Sequence, residues 1–465
     1  MKIAVVLSQG KHYFYYDRVV RLLHSWGHEV RLVCPADFSE DGNKSGRALI
    51  QLLREVPGVK LEDAIHTEHK NPYWVGLLRN LRDYAIFVRP EHPTPHLAPN
   101  WIGKELSKKM LRRLEYPFVH WFIRSQAARS LFTLLESHIA PNENIIKWLK
   151  DFQPQVIFAS PYVFREDFEV EYTKAAQSLH IPVIASLLSW DNLTSKGTYH
   201  VKPDQLFVWN QSLVKEAVQI HDFEPRQVFV SGASVYDPWF DLSPSTDRAS
   251  FCARAGLDPS KPYLLYLCSS KSISDRETDL IRMLMAQLKT VDEASRPALL
   301  VRPHPFKEMT DELENDWVKI FPKGGQRPDT DEARAGYYDS LYHSAAVIGV
   351  NTTGFLEAAI LDKPCLTVLS PLTSGGQEMR AHFKHLMDAG YIETAKDFPQ
   401  LIAQVMQIVS GADPRRENRR NFVLNFIRPH GLDVPASEVI SGAILAVARG
   451  REPSEWMKEN HAENN

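Results

Sequence analysis

The sequence predicts an α/β protein with two parallel β-sheets. Short apolar runs typical of buried strands alternate with helix-length amphipathic segments, as expected when each strand is followed by a crossover helix. The alternation restarts near Val201–Asp204, which predicts two similar halves that face each other across a cleft. With 465 residues, the chain is long enough for two domains.

The first domain is predicted to span residues 1–204. Tyr16–Trp26 has the pattern of a helix that Gly27 ends. Residues 40–150 are charged and contain prolines, so we expect a helical and loop insertion there. Four apolar runs are predicted strands: Ile3–Leu7, Glu29–Cys34, Val156–Ser160 and Val183–Leu188.

The second domain is predicted to span residues 205–412, and residues 413–465 are expected to form helices and a polar tail. Ligands of open parallel sheets bind beyond the carboxyl ends of the strands, so the polar residues that follow each strand are the candidate site residues. The strands predicted here are Gln205–Trp209, Gln227–Val230, Tyr263–Cys268, Ala298–Val301, Ala345–Val350 and Cys365–Leu369.

Composition limits the possible function classes. Hydrophobic residues make up 44% and charged residues 24%, a balance typical of a soluble globular protein. The formal net charge of -3 argues against a general nucleic-acid binder. The four cysteines are scattered, so we expect free thiols and no zinc site.

Met1-Lys2 leads directly into a strand, and no apolar run reaches a membrane-spanning length. We therefore expect a cytoplasmic protein, at most peripheral at the inner face of the membrane.

The run Arg302-Pro303-His304-Pro305 follows a predicted buried strand. Arg302 can pair with a phosphate through two hydrogen bonds, and His304 can donate to a phosphate or ribose oxygen. The prolines stiffen the turn and fix the direction of the imidazole. The alternative is a strand-end turn with a structural histidine.

The run Asn351-Thr352-Thr353-Gly354 is predicted to open a helix. Backbone N–H groups at a helix start, two hydroxyls and a glycine together can bind an anion. Glu357 lies one turn further on and can accept hydrogen bonds from ribose hydroxyls. The alternative is an ordinary helix cap followed by an ordinary glutamate.

Two further strand ends carry small polar residues. Gly232 lies between Ser231 and Ser234, and Ser269-Ser270 follows Cys268. Either group could close around a diphosphate, but each is equally compatible with simple turn chemistry.

The segment from Ser189 to Gly197 is dense in polar groups and follows a predicted strand. Asp191 is a candidate general base, and Asn192 and Lys196 are candidate substrate-binding residues. The alternative is an Asx-type turn with Trp190 packed beneath it.

His12 follows the first strand in Gly10-Lys11-His12, which lacks the glycine spacing of a dinucleotide site. We expect His12 to be an acceptor-side base or hydrogen-bond donor, and a surface-loop histidine is the alternative.

After the last predicted strand, Gln377, Glu378 and His382 surround a Gly-Gly turn and could hold sugar hydroxyls. A solvated loop is the alternative.

Lys104–Arg124 combines basic and aromatic residues. Such a helix can lie on anionic lipid, although it more commonly covers the protein's own core.

The order of these strand ends resembles glycosyltransferases of the GT-B architecture, in particular bacterial capsule transferases and CDP-glycerol glycerophosphotransferase-like proteins. Val230–Asp237 is similar to the opening of the second domain of UDP-N-acetylglucosamine 2-epimerases. Ser189–Gly197 and Tyr338–Ala345 look like signatures of a group of bacterial GT-B-like proteins. The resemblance implies two Rossmann-like domains, with the nucleotide donor bound by the C-terminal one and no obligatory metal. Residues implied to bind the donor are Arg302, His304, Thr352, Thr353 and Glu357.

One departure affects the choice of reaction. The family's Gly-x-x-Glu-Glu pattern is Gly354-Phe355-Leu356-Glu357-Ala358 here, with one acidic residue instead of two, which disfavours an epimerase. The expected function is metal-independent glycosyl transfer from a nucleotide-sugar donor to a glycan or lipid-linked acceptor, without a further cofactor. Asp329-Thr330-Asp331 has a metal-motif spacing but lies in a polar, external segment. The alternatives are a polyol-phosphate transferase, a 2-epimerase and a non-catalytic nucleotide-sugar binder.

Overall fold

The structure is a computed structural model. It describes residues 1–35, 49, 54–56, 58–94, 106–163, 168–270, 273–274, 276–305, 311–326, 330–377 and 379–460. The chain forms two compact units. The first comprises Met1–Val235 and Phe426–Asn465, and the second comprises Tyr236–Asn425.

The first unit contains a seven-stranded sheet in which every neighbouring pair is parallel, in the order β3-β2-β1-β4-β5-β6-β7. The chain adds strands on one side of β1 and then resumes on the other side with β4, so the β1/β4 junction is a topological switch point. The strands are β1 (Lys2–Leu7), β2 (Glu29–Cys34), β3 (Lys60–Asp63), β4 (Val156–Ser160), β5 (Val183–Ser186), β6 (Gln205–Val208) and β7 (Val228–Val230).

The helices of the first unit include an inserted group between β3 and β4. A 3₁₀ helix, Gly10–Tyr15, follows β1. The α-helices up to β7 are α1 (Asp17–Ser25), α2 (Pro72–Phe87), α3 (Lys108–Leu114), α4 (Pro117–Ile123), α5 (Gln126–Ser137), α6 (Glu143–Phe152), α7 (Phe168–Ser178), α8 (Asn192–Ser195) and α9 (Gln211–His221).

The second unit contains a six-stranded parallel sheet in the order β10-β9-β8-β11-β12-β13, with its own switch point between β8 and β11. Its strands are β8 (Tyr263–Leu267), β9 (Ala298–Arg302), β10 (Val318–Ile320), β11 (Ala346–Gly349), β12 (Cys365–Val368) and β13 (Ile392–Ala395). Its helices are α10 (Asp237–Asp241), α11 (Arg248–Ala255), α12 (Glu277–Leu288), α13 (Asp331–Tyr342), α14 (Gly354–Ile360), α15 (Ala381–Asp388), α16 (Phe398–Val409) and α17 (Arg416–Phe422).

The chain returns to the first unit within a short π-helix at Val423–Ile427. The returning helix α18 (Ala436–Ala448) packs on α1, and α19 (Glu455–Asn460) follows it. Ile440, Ala443 and Ile444 belong to the same buried core as Ile3 and Val5 of β1, so the C-terminal segment completes the first hydrophobic core.

The predicted α/β class with two parallel sheets is confirmed, and each predicted strand is present within one or two residues at its ends. The structure places the unit boundary at Val235 instead of 204, because β6 and β7 pair in parallel with β5 and extend the first sheet. It also places Phe426–Asn465 in the first unit. Three short strands, β3, β10 and β13, were not predicted because each has only three or four residues and carries a charged side chain.

Across the part of the chain that the structure describes, no helix combines the length and apolar character needed to cross a membrane. Cys34, Cys252, Cys268 and Cys365 are all buried free thiols.

Buried ion pairs join two of the inserted helices, α2 and α5, to helix α7 of the first unit. Arg79 in α2 donates from Nη2 to Glu136 Oε1 in α5 at 2.8 Å and to Glu171 Oε1 in α7 at 2.6 Å. All three side chains are at most 3% exposed. Lys174 adds its ammonium 3.3 Å from Glu136 Oε1. Because the charges neutralise one another without solvent, the three helices hold a fixed relative position.

Replacing Glu136 with alanine should leave Arg79 and Lys174 short of their shared buried partner. We expect the free energy of unfolding to fall by about 3–5 kcal/mol, the usual cost of breaking a buried ion pair. Chemical denaturation followed by circular dichroism measures the change.

The matched control is Glu224→Ala. Glu224 pairs with Arg226 and caps the 3₁₀ turn Pro225–Gln227, but the two paired side chains are 61% and 82% exposed, so the loss should stay at about 1 kcal/mol. Equal losses in the two variants would contradict the structural role of the buried cluster.

Candidate functional site

Three neighbouring strand ends of the second sheet bring the predicted donor residues to one edge. The strand β8 lies between β9 and β11, and the register aligns Leu267 with Arg302 on one side and with Gly349 on the other. Residues after these three positions therefore emerge at the same edge, at the switch point where open α/β sheets bind ligands. The ends of β9 and β11 are two strand spacings apart, about 10 Å, which long side chains can bridge.

Arg302 is the last residue of β9 and is only 5% exposed. Its guanidinium carbon lies 4.8 Å from the ring centroid of Tyr337, a cation–π contact. Burial lowers the pKa of Arg302 to about 10, and the nearby Tyr337 and Glu357 oppose that shift. Its buried Nη2 has no hydrogen-bond partner among the described residues. Arg302 thus remains cationic and retains a donor for an anionic ligand.

Tyr337 connects Arg302 with Glu357. The Tyr337 hydroxyl, in α13, donates to Oε2 of Glu357 in α14. Burial raises the pKa of Glu357 to about 7, against the opposing effects of the Tyr337 hydrogen bond and of Arg302. Within the described part of the chain, Oε1 of Glu357 has no hydrogen-bond partner. A cation and a carboxyl group thus share one aromatic residue, and each retains an unused polar atom.

The turn at Asn351–Gly354 opens α14 as predicted, and part of its hydrogen bonding is internal. The Gly354 N–H donates to Thr352 Oγ1 at 3.2 Å, and the next two N–H groups donate to the carbonyls of Thr352 and Thr353. A Cβ on Gly354 would lie 2.3 Å from the Leu267 side chain, so this glycine allows α14 to pack against β8. Thr352 of this turn is half-buried and Thr353 is exposed, so their hydroxyls can contact a ligand.

The loop after β8 is held by a buried carboxylate that the sequence did not reveal. Glu277, fully buried in α12, accepts the Ser269 N–H with both oxygens, at 2.8 and 2.9 Å. Ser269 Oγ is buried without a hydrogen-bond partner in the described chain, and Ser270 is half-buried. Ser269 therefore has a buried hydroxyl with unused hydrogen-bonding capacity on a fixed backbone.

Asn351, Gln377 and His382 join the loops after β11 and β12. Asn351 Nδ2 donates to the Gly376 carbonyl at 2.7 Å and lies 3.2 Å from His382 Nε2. Gln377 Nε2 donates to the Val350 carbonyl at 2.9 Å and to Thr367 Oγ1 at 2.8 Å. The two amide groups therefore bond to the backbone of the site, whereas the sequence predicted donor binding for Asn351 and sugar contact for Gln377. Glu378 lies outside the described residues.

His304 lies two residues beyond β9 and is half-buried. A Cβ on Gly325 would lie 2.6 Å from the His304 carbonyl oxygen, so a glycine there lets the two segments touch. The structure places His304 at the same sheet edge as Arg302 and Thr352, as the sequence predicts.

The switch point of the first sheet carries His12. His12, 4% exposed, lies in the 3₁₀ helix after β1, and its Nδ1 is 3.0 Å from Ser8 Oγ. Burial, aided by the positive charge of Lys11, lowers the pKa of His12 to about 4. The imidazole is therefore neutral near pH 7 and can accept or donate a hydrogen bond.

In the polar segment after β5, one predicted site residue stabilises a turn, and two others remain candidate catalytic or binding residues. Asn192 Oδ1 accepts the N–H groups of Leu188 and Ser189 at 3.1 and 3.0 Å, so this predicted substrate-binding residue stabilises the turn. Asp191 is half-buried, and its Oδ2 accepts from Ser195 Oγ at 2.6 Å. Lys196 is also half-buried.

Gly232, a predicted donor-binding residue, belongs to the first unit and has a packing role. Its φ of +81° is a conformation that favours glycine. A Cβ there would lie 2.9 Å from Ala436 Cβ and 3.0 Å from the Ile427 carbonyl oxygen. The glycine therefore makes room for the returning C-terminal segment.

Among the described residues, no group of three or more His, Cys, Asp or Glu side chains is placed to hold a metal ion. Asp329, part of the Asp-Thr-Asp spacing, lies outside those residues.

No protein-family model matches the chain, and no curated protein sequence matches it. Solved structures do match its fold. One is UDP-GlcNAc 2-epimerase from Neisseria meningitidis bound to UDP-GlcNAc (12% identity, TM-score 0.54, 95% of this chain and 98% of that one). Another is a glycosyltransferase from Rickettsia africae (11%, 0.52, 96% and 98%). A third is the UDP co-structure of MnaA from S. aureus (11%, 0.52, 96% and 97%). These similarities establish a GT-B-like architecture with two Rossmann-like units.

The raised pKa of Glu357 predicts a pH-dependent effect of replacing it. Between the ordinary glutamate pKa, 4.5, and about 7, the unfolded chain ionises this group while the folded chain keeps it protonated. The protonated carboxyl group of Glu357 stabilises the folded state below this window, and that stabilisation is lost as the pH rises through it. Glu357→Gln should gain stability relative to the wild type by about 1–3 kcal/mol between pH 4.5 and pH 8.

Denaturant unfolding of both proteins at pH 4.5 and pH 8 measures this difference. The exposed Glu224→Gln variant is the control and should show a much smaller pH-dependent change. A constant difference between Glu357→Gln and wild type at both pH values would contradict the burial of the carboxyl group.

Proposed function

We propose that the protein is a GT-B-fold glycosyltransferase that moves a sugar from a nucleotide-activated donor to a surface-glycan acceptor. The observation that carries this proposal is the Arg302–Tyr337–Glu357 cluster at the switch point of the second sheet. It combines a buried cation that has a donor to spare with a carboxyl group that has an unused oxygen. A nucleoside diphosphate requires these two recognition groups, one for phosphate and one for ribose.

The donor would bind with its diphosphate against Arg302 and its ribose hydroxyls against Glu357. The guanidinium can form paired hydrogen bonds with phosphate oxygens, and Tyr337 beneath it fixes the plane of the guanidinium. The hydroxyls of Ser269, Thr352 and Thr353 add donors along the same edge. The bound UDP-GlcNAc and UDP of structurally similar proteins support this ligand class by analogy.

Transfer of the sugar would leave negative charge on the departing nucleotide. Fixed donors that meet this charge lower the energy of the transition state more than that of the ground state. Arg302 is the last residue of β9 and His304 lies two residues beyond it, so both are positioned by β9. Their placement supports a leaving-group role for this edge.

Acceptor activation would fall to a group in the first unit if the reaction inverts the sugar configuration. His12 is neutral near pH 7, so a ring nitrogen is able to accept a hydrogen bond from the acceptor hydroxyl, but its pKa of about 4 makes it a weak base. Asp191 is the other candidate, and its hydrogen bond from Ser195 holds one of its oxygens. Lys196 would then contact the acceptor.

Nucleotide binding provides the first test, by thermal shift with UDP, CMP, CDP and GDP. A nucleotide at 100 times its Kd should stabilise the folded protein by about 2.7 kcal/mol. Arg302→Met should weaken the binding of the best nucleotide by about tenfold or more, because it removes the phosphate-pairing cation while retaining an apolar side chain above Tyr337. The exposed Arg226→Met should bind normally.

The donor-site assignment would be wrong if no nucleotide stabilises the wild type, or if Arg302→Met binds as well as Arg226→Met. His304→Ala should also bind more weakly than the wild type. Each variant must first show a cooperative unfolding transition at the wild-type temperature or close to it.

Turnover separates transfer from its alternatives. Asp191→Asn or His12→Gln, whichever carries the base, should reduce nucleotide release in the presence of an acceptor by about a hundredfold or more, without weakening nucleotide binding. Incubation with UDP-GlcNAc alone should yield no new epimer.

Formation of a 2-epimer without acceptor would replace our proposal with an epimerase. Transfer of a polyol phosphate from a CDP-polyol would assign the alternative transferase class. Nucleotide binding without turnover, together with cellular complementation by a His304→Ala, Asp191→Ala double variant, would indicate a non-catalytic binder.

A further inference from the structure

The inserted helices of the first unit expose large aromatic side chains to an unusual degree. In α4 and the residue before it, Tyr116, Phe118 and Trp121 are 62%, 75% and 65% exposed. Phe118 and Trp121 lie three positions apart on one side of the helix, with ring centroids separated by 5.9 Å. We name Tyr116, Phe118 and Trp121, with the cations of α3, the aromatic–basic face.

These aromatic residues are not the core-facing side of their helix. Leu114 and Ile123 are buried in a cluster with Tyr84 and Phe87 of α2. Ile123 is two positions beyond Trp121, which places it about 200° further round an α-helix. The helix therefore already has an apolar side packed against the protein, and the exposed aromatics form a second apolar side.

The cations of the face come from α3. Lys108, Lys109, Arg112 and Arg113 are all exposed. With Arg124, residues 108–124 contain five cationic side chains and one carboxylate, Glu115, whereas the whole chain has a net charge of -3. Positive charge is thus concentrated in the segment that carries the exposed aromatic residues, on a protein with a net negative charge. Lys104, at the start of the predicted basic segment, lies outside the described residues.

Neighbouring helices add further exposed apolar side chains. Leu131, Leu134 and Leu135 of α5, the helix that follows and packs against α4, are 42%, 55% and 46% exposed. Tyr73 and Trp74 at the start of α2 are 68% and 65% exposed. Apolar exposure on this scale indicates an interaction surface.

We infer that the aromatic–basic face docks on the surface of an anionic lipid bilayer. Trp and Tyr favour the boundary between lipid headgroups and acyl chains, and lysine and arginine beside them attract anionic headgroups. The face therefore has both components of interfacial membrane binding, insertion of apolar rings and attraction of charge.

A second copy of the chain fits this surface less well. A two-fold contact through the same face would bring the cations of α3 close to the identical cations of the partner, which opposes association. The inference concerns where the protein acts and is independent of the proposed reaction, since none of its residues belongs to the nucleotide site.

Vesicle co-sedimentation of the full-length protein tests the inference. The wild type should bind phosphatidylglycerol-containing vesicles and should not bind pure phosphatidylcholine vesicles. The Phe118→Ser, Trp121→Ser double variant should bind about tenfold more weakly or worse, because two apolar rings no longer leave water. Raising the salt from about 0.1 M to about 1 M should also release the protein, since the screening length falls from about 10 Å to about 3 Å.

The matched control is Trp26→Ser, which removes an aromatic residue that is 39% exposed at the end of α1, outside the face. This variant should bind vesicles like the wild type. A second variant, Lys108→Glu, Lys109→Glu, keeps the aromatic rings and should lose binding through charge alone. Thermal unfolding of each variant verifies that it is folded.

Any of three results would overturn the inference: no binding of the wild type to anionic vesicles, equal binding to neutral vesicles, or undiminished binding by the Phe118→Ser, Trp121→Ser variant. Concentration-dependent dimerisation that this variant abolishes, without vesicle binding, would assign the face to a second copy instead. Nucleotide thermal shifts should be unchanged in all of these variants, so failure here is distinct from failure of the proposed reaction.

Discussion

The candidate site depends on the register that places β8 between β9 and β11. This pairing aligns Arg302, Leu267 and Gly349 in one row across three strands, and the loops that follow them therefore begin at the same level. A one-residue shift of β9 would turn Arg302 to the opposite face of the sheet, away from Tyr337. The hydrophobic residues of these strands resist such a shift, because both faces of the parallel sheet are buried.

Two buried charge clusters in this molecule differ in how completely they are paired. Arg79 bonds directly to Glu136 and Glu171, and the result is a fixed junction of three helices. Arg302 and Glu357, both described, form no direct ion pair with each other. Burial lowers the pKa of Arg302 and raises the pKa of Glu357, so each shift favours the neutral form of the group. Tyr337 contacts both and separates them. Incomplete pairing of buried charges costs stability, and proteins retain it chiefly where a ligand completes it.

The sequence was sufficient for the fold class and for placing the candidate residues at strand ends. Apolar runs of four to six residues marked most strands, and the polar residues directly after them marked the edge. The roles of individual residues were harder to predict. Gly354 and Gly232 looked like ligand-contacting glycines, but tertiary packing against Leu267 and Ala436 explains them better. Tyr337 and Glu277 gave no signal, because a helical tyrosine and a helical glutamate are common and only the sheet register brings them to the site.

The unit boundary was misplaced for a related reason. Strand periodicity shows that Gln205–Val208 and Val228–Val230 are strands but cannot show which sheet they join. Likewise, no local pattern shows that Ile440 and Ile444 return to the core of the first unit. Such long-range contacts depend on how much apolar surface the whole fold buries, and the local sequence pattern of one segment does not show this.

The ion-pair cluster around Arg79 connects the inserted helices of the first unit with the aromatic–basic face that they carry. The exposed aromatic residues of α4 and the exposed leucines of α5 belong to an insertion between β3 and β4. Loose insertions make poor docking surfaces because binding must first order them. Here Glu136 of α5 is tied through Arg79 to α2 and, by Glu171, to α7 beside the sheet. The apolar cluster of Leu114 and Ile123 secures α3 and α4 to the same α2. The exposed rings are therefore presented by a rigid base, so little conformational entropy would be lost when the aromatic–basic face meets a membrane.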